Sequence, residues 1–231
     1  NAAGQLTGVG IVALSGQAIS DDGRYVVYAS NAGNIVPGVG SGTIQVYVRD
    51  LATDTTTLAS RSAAGAAANS QSDLGAISPN GRFVSFRSFA TNLAGGPFAS
   101  RVFVHDRVTL ATSSVPLPVL GAVTATGCRE NDVADNGVVV LTCFFGSGLF
   151  DQVYLHLPGA AGTPFLISSD INDVAGNQVS GTRVAIDASG LSMIFDSLAS
   201  NLVGNDFNGV SDSFILIDEG ILDGIFADSF E

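Results

Sequence analysis

The 231-residue sequence is 46% apolar and 13% charged, with 28 glycines, one methionine and no lysine. Helices normally carry Glu, Lys, Arg and Gln on their surfaces, so this composition argues against a mainly helical protein. The formal net charge of −12 repels phosphate backbones and predicts no nucleic-acid partner. The longest apolar run, 138–150, is too short for a membrane span.

One pattern recurs along the chain, a polar turn containing glycine followed by alternating apolar residues. It is found at 19–28, at 77–86, around Gly137 and around Gly190. Such a pattern is typical of a β-hairpin. An asparagine follows three of the glycines at the same interval, at Asn34, Asn92 and Asn201. The period is about 55 residues, which is typical of propellers and solenoids.

A second apolar segment follows each turn, at 45–50, 101–106, 152–157 and 213–218. These runs are rich in β-branched and aromatic residues and predict strands covered on both faces. Each is followed by a short polar turn and a further strand, which gives the four strands of a propeller blade. The sequence therefore predicts one all-β, β-propeller-like domain over 1–231, with four units of about four antiparallel strands. The predicted units are 5–62, 63–120, 121–170 and 171–231.

The first two turns, 20–25 and 78–83, resemble the Ser-Pro-Asp-Gly-Arg turn of TolB-like and WD40-like propeller repeats. In the third and fourth units Val138 and Leu191 are expected to replace the arginine. Such repeats occur in bacterial secreted and periplasmic proteins, so the resemblance implies a propeller fold in that location, with any signal peptide already removed. It implies little about activity, because one fold hosts many functions.

Cys128 and Cys143 lie on either side of the third turn. A hairpin centred near residues 135–136 brings them opposite or within one residue of each other, which satisfies the Cα separation of a disulfide. Two buried thiols are the alternative. A disulfide implies an oxidising compartment, in agreement with a secreted or periplasmic protein.

The loop 205–212 is the best candidate for metal binding. Asp206, Asn208 and Asp212 present several oxygens around Gly209, an arrangement that suits Ca²⁺. The loop lacks the remote glutamate of an EF-hand, and Asx-rich turns also form without any ion. The sequence therefore allows two interpretations of this loop: a calcium site, or a turn capped by its own Asn and Asp side chains.

The two histidines, His105 and His156, occupy the same position in successive units, where the first unit has Arg49. This equivalence indicates a strand position that accepts different side chains, rather than a catalytic one. The sequence also contains no Gly-x-Ser-x-Gly, Cys-x-x-Cys or phosphate-binding Gly-Lys-Ser motif. These observations argue against an enzyme.

The ends allow three arrangements: a closed four-bladed ring, a piece of a larger ring, or a ring completed by another copy. Segment 222–227 is expected to form the outer strand of the last unit. Apolar residues of this terminal edge are the predicted assembly contacts, namely Leu222, Ile225, Phe226 and Phe230.

The favoured function is a non-catalytic extracellular binding or structural module, which uses propeller loops and edge strands for protein recognition or self-assembly. The alternative is a carbohydrate-binding protein or glycan-active enzyme with a site at the propeller axis. That alternative needs aromatic residues exposed in the loops. The sequence has no Trp, and most of its four Tyr and fourteen Phe fall in predicted strands.

Overall fold

A computed structural model describes residues 11–12, 17–93, 100–146, 148–159, 162–206 and 208–217. These residues form strands and turns, and no helix occurs among them. Within the described residues there is accordingly no helix long and apolar enough to cross a membrane.

The described strands form four larger antiparallel sheets and one two-stranded hairpin. Sheet 1 contains β1 (Ile11–Val12), β2 (Tyr25–Ser30), β3 (Gln45–Asp50) and β4 (Thr55–Leu58). Sheet 2 contains β5 (Ser72–Ile77), β6 (Phe83–Ser88), β7 (Arg101–Asp106) and β8 (Thr112–Ser114). A small hairpin follows, formed by β9 (Val119–Leu120) and β10 (Val123–Thr124).

Sheet 3 contains β11 (Gly127–Val133), β12 (Val139–Phe144), β13 (Gln152–His156) and β14 (Phe165–Leu166). Sheet 4 contains β15 (Ser180–Ile186), β16 (Ser192–Ser197) and β17 (Asp212–Ile217). In each sheet, neighbouring strands are consecutive in the sequence. This order confirms the predicted all-β, propeller-like class. The expected outer strand at 222–227, like the four predicted assembly residues within 222–230, lies outside the described residues.

The four glycine turns join the first and second strands of their sheets. Gly23, Gly81, Gly137 and Gly190 all have positive φ, between 70° and 84°. In each turn the glycine N–H donates to the carbonyl three residues earlier. Glycine favours this left-handed conformation because it has no Cβ. The repeat seen in the sequence is thus a repeat of backbone geometry.

The third turn is one residue shorter than the others. In the first two turns the opening N–H donates to the carbonyl five residues later, from Ser20 to Tyr25 and from Ser78 to Phe83. In the third turn the N–H of Ala134 donates to the carbonyl of Val138, four residues later. Val138 therefore occupies the position of Tyr25 and Phe83. The expectation that Val138 replaces the arginine is wrong, because that position is deleted.

The sheets pack face to face in chain order. We call the face turned toward the next sheet the front and the opposite face the back. A Cβ atom added to Gly75 in sheet 2 would lie 2.9 Å from Val46 and 3.0 Å from Val27 on the front of sheet 1. The same arrangement joins sheets 3 and 4, where the Thr142 hydroxyl donates to the carbonyl of Gly181 over 2.6 Å. Aliphatic and aromatic side chains fill each intersheet layer.

Hydrogen bonds also connect the glycine turns of successive sheets. The N–H of Asp21 donates to the carbonyl of Pro79 over 2.9 Å. The N–H of Asn80 donates to Oδ1 of Asp135 over 2.7 Å, and the N–H of Asp135 donates to the carbonyl of Ala188 over 3.0 Å. This turn ladder runs from sheet 1 to sheet 4. It fixes the order and the direction in which the sheets follow each other.

Candidate binding surfaces

The front of sheet 4 carries an apolar surface that no other sheet among the described residues covers. Ile194 is 42% exposed, whereas the residues at its position in sheets 1, 2 and 3, Val27, Ser85 and Val140, are all 0% exposed. Ile215 and Ile217 on the neighbouring strand are 67% and 59% exposed. We call this surface the open face; it comprises Ala185, Ile194, Ile215 and Ile217. Exposed apolar surface of this kind typically marks an interaction site.

The open face also corrects a prediction from the sequence. The run 213–218 was expected to form a strand covered on both faces. In β17 the side chains alternate instead between half-buried and exposed. Phe214 and Leu216 pack toward sheet 3, while Ile215 and Ile217 face outward.

The open face adjoins a cavity of about 780 Å³ beside the first strands of sheets 2, 3 and 4, and Ala185 and Ile194 belong to both. The registers of β5, β11 and β15 each shift where these strands pair with their neighbours. Such bulges redirect side chains and are frequent beside functional sites. The lining includes Leu74, Glu130, Asn131, Thr182, Arg183 and Asp196.

The cavity carries both signs of charge. Burial raises the pKa of Glu130, although Arg129, Arg87 and Arg183 lower it. The carboxylate of Asp196 accepts hydrogen bonds from the Thr182 hydroxyl and from the N–H of Arg183, so it caps the bulge in β15. The only aromatic ring in the lining belongs to Phe195, which is buried. Stacking of a sugar on an exposed ring is therefore not available in the described lining.

Asp132 is a buried carboxylate between sheets 3 and 4. The corresponding residues in the other sheets are Ala18, Ala76 and Ala185. The Asp132 carboxylate accepts hydrogen bonds from the N–H groups of Val133 and Ile186, over 2.9 and 3.1 Å. Burial raises its pKa to about 6, against the effect of these two bonds. The group links two sheets and has no access to the open face.

Both histidines are buried in their sheets. Nδ1 of His105 lies 2.9 Å from the hydroxyl of Thr112, and that hydroxyl donates to the carbonyl of Arg61. The hydroxyl can therefore accept a hydrogen bond from Nδ1–H. Burial lowers the pKa of His105 to about 4 and also lowers the pKa of His156. His105 and His156 pair with Val84 and Val139, which are equivalent positions of their sheets.

Cys128 and Cys143 lie directly opposite each other on β11 and β12 and form a disulfide. Both are buried in the layer between sheets 2 and 3, against Val102 and Val115. The bond crosses the first hairpin of sheet 3. The sequence spacing predicted this contact, and the bond supports an oxidising compartment.

The predicted calcium loop has hydrogen bonds of its own. The Asn208 side-chain amide donates to the Asp212 carboxylate over 3.2 Å, and Oδ1 of Asn208 accepts from the N–H of Val210 over 2.9 Å. Asp212 begins β17, and Asp206 is half-buried. Among the described side chains there is no group of three or more His, Cys, Asp or Glu residues suited to a metal. Calcium binding by Asp206, Asn208 and Asp212 stays a prediction.

The described sheets and surfaces define an all-β, propeller-like repeat protein. No protein-family model matches the sequence, and no curated protein is similar to it. Among solved structures, the chain is similar to a protein described as TolB from Agrobacterium tumefaciens, with 13% identity and a TM-score of 0.44. It is also similar to the tricorn protease, with 11% identity and a TM-score of 0.48.

These similarities extend over most of this chain but only part of the other proteins. The first covers 87% of this chain and 57% of the TolB chain. The second covers 82% of this chain and 19% of the tricorn protease chain.

Proposed function

We propose that this chain is a non-catalytic, extracellular binding module that recognises protein through the open face. The observation that carries the proposal is the contrast at one repeat position, where Ile194 is exposed and its three counterparts are fully buried. An extended apolar sheet face loses unfavourable contact with water when another protein surface covers it. The buried disulfide supports the extracellular location.

The carbohydrate alternative has less support. The cavity beside the first strands holds polar and charged groups, but it presents no exposed aromatic ring among its described lining residues. Two carboxyl groups in the lining, Glu130 and Asp196, are the candidates for a glycosidase pair. Asp196 is already engaged by Thr182 and by the backbone of Arg183. Protein recognition at the open face is therefore the favoured function.

A photo-crosslinking amino acid placed at Ile215 tests the proposal. The same group placed at Val108 is the matched control, since Val108 is an equally exposed apolar residue on the turn between β7 and β8. Both proteins are irradiated alone and in the culture fluid of the producing cells, and mass spectrometry identifies the adducts. We expect protein adducts at 215 but not at 108, and their loss in I217D. Equal yields at the two positions would contradict the proposal.

A further inference from the structure

We infer that the open face binds the back of sheet 1 in a second copy of this chain. The inference rests on the proposed function and names its partner. The chain already builds this front-to-back interface three times, between sheets 1 and 2, 2 and 3, and 3 and 4. A contact between copies continues the same series with a fourth interface.

The back of sheet 1 is uncovered at the end next to its glycine turn, whereas Tyr47 farther along the same face is buried in a cluster with Ile35 and Val39. Ile19 is 53% exposed there. The residues at its position in sheets 2, 3 and 4 are Ile77, Val133 and Ile186, which are 0%, 0% and 5% exposed. Those three are covered because a preceding sheet packs on them. Near the glycine turns, the two ends of the stack thus present the two sides of the interface that the chain repeats internally.

The turn ladder has matching ends. In each step an N–H of one turn donates to an acceptor in the turn of the next sheet. Pro79 and Ala188 supply carbonyl acceptors two residues before their glycines, and Asp21 has that position in sheet 1. Among the described residues, no hydrogen bond uses the N–H of Ala188 or the carbonyl of Asp21. A second copy placed front to back would bring this donor to this acceptor.

The contact is heterologous, because it joins different surfaces of the two copies. Ile19 and Ile215 are both exposed in one chain, so the two surfaces do not cover each other within it. A heterologous contact builds rings or filaments rather than closed pairs. Each copy carries a net charge of −12, so the copies repel each other over a distance that salt shortens. Added salt should therefore strengthen the association, as expected for an apolar contact between like-charged chains.

Sedimentation velocity on the full chain tests the inference with three variants. I215D blocks the open face, I19D blocks the back of sheet 1, and V108D adds the same charge at an exposed site away from both. We expect the wild type and V108D to form oligomers that grow with protein and salt concentration. I215D and I19D should each remain monomeric. Both should unfold at the same temperature as V108D, which shows that they are folded.

Mixing the two blocked variants gives the sharpest result. I19D keeps a functional open face and I215D keeps a functional back of sheet 1, so the mixture should form a dimer and stop there. A monomeric wild type at all concentrations would overturn the inference, as would oligomers that persist in I215D. Oligomers that persist in I19D would overturn it as well. If the wild type is monomeric while residue 215 still crosslinks to a different protein, the second copy is ruled out and the proposed function is retained.

Discussion

The guanidinium of Arg82 donates two hydrogen bonds to the carboxylate of Asp106, through Nε over 3.2 Å and through Nη2 over 2.8 Å. Arg24 and Asp50 form the same pair in sheet 1, over 2.9 and 2.8 Å. Sheet 3 has neither partner: its turn lacks the arginine, and buried Leu157 takes the place of the aspartate. The pair is therefore gained or lost as a unit, which identifies it as part of the hairpin structure.

The first prediction concerns the two members of this pair. The Asp106 carboxylate also accepts hydrogen bonds from the N–H groups of Val108 and Thr109. D106A should therefore lower the free energy of unfolding by about 2 kcal/mol, the usual size for charged hydrogen bonds. R82A should lower the free energy of unfolding by less, because the Asp106 carboxylate still accepts hydrogen bonds from the N–H groups of Val108 and Thr109. Urea unfolding measures both, with D21A as control for the loss of one negative charge; equal losses in D106A and R82A would contradict the assigned roles.

The second prediction concerns the disulfide. Cys128 and Cys143 are separated by 15 residues, and closing a loop of that size restricts the unfolded chain by about 3 kcal/mol. The double variant C128S/C143S should lose a free energy of unfolding of that order in guanidinium titrations. Thiol titration of the denatured wild type should find no free thiol before reduction and two afterwards. Free thiols before reduction would contradict the bond.

The third prediction concerns pH and His105. The pKa of His105 is about 4 in the folded chain, against an ordinary value of 6.5 in the unfolded chain. Between these values the unfolded chain binds the extra proton, so the His105 contribution to stability is complete above pH 6.5 and declines as the pH falls toward 4. H105N keeps a hydrogen-bond donor for Thr112 and should remove this decline. Urea unfolding at pH 7 and pH 4.5 measures it.

The fourth prediction concerns Asp132, whose effect has the opposite sign. Its pKa is about 6 when folded and 3.8 ordinarily, so the folded chain holds the extra proton and stability declines as the pH rises through this window. The free energy of unfolding of D132N, measured relative to that of the wild type, should therefore be higher at pH 7 than at pH 4, by up to about 3 kcal/mol. In the wild type, the opposite pH dependences of stability that His105 and Asp132 cause partly cancel. H105N and D132N should therefore give opposite pH dependences, and parallel curves would contradict both assignments.

The sequence predicted the elements that depend on local chemistry. Gly81 and its counterparts marked the turns because only glycine adopts their backbone conformation without strain, and the spacing of Cys128 and Cys143 predicted their contact. The deletion before Val138 was missed because a one-residue gap leaves the apolar pattern readable. The exposure of Ile194 was also missed. Whether a sheet face is covered depends on the next sheet, which a strand's own residues do not encode.

The most direct test of the central claim is the rate at which a thiol reagent modifies I194C as the protein concentration rises. Residue 194 is at the centre of the open face and pairs with Ile215 on the neighbouring strand. If the open face is a protein-binding surface filled by a second copy, the rate should be high in dilute solution. It should then fall as the concentration increases, and it should stay high when I19D is also introduced. A rate that is the same at every concentration would contradict the account.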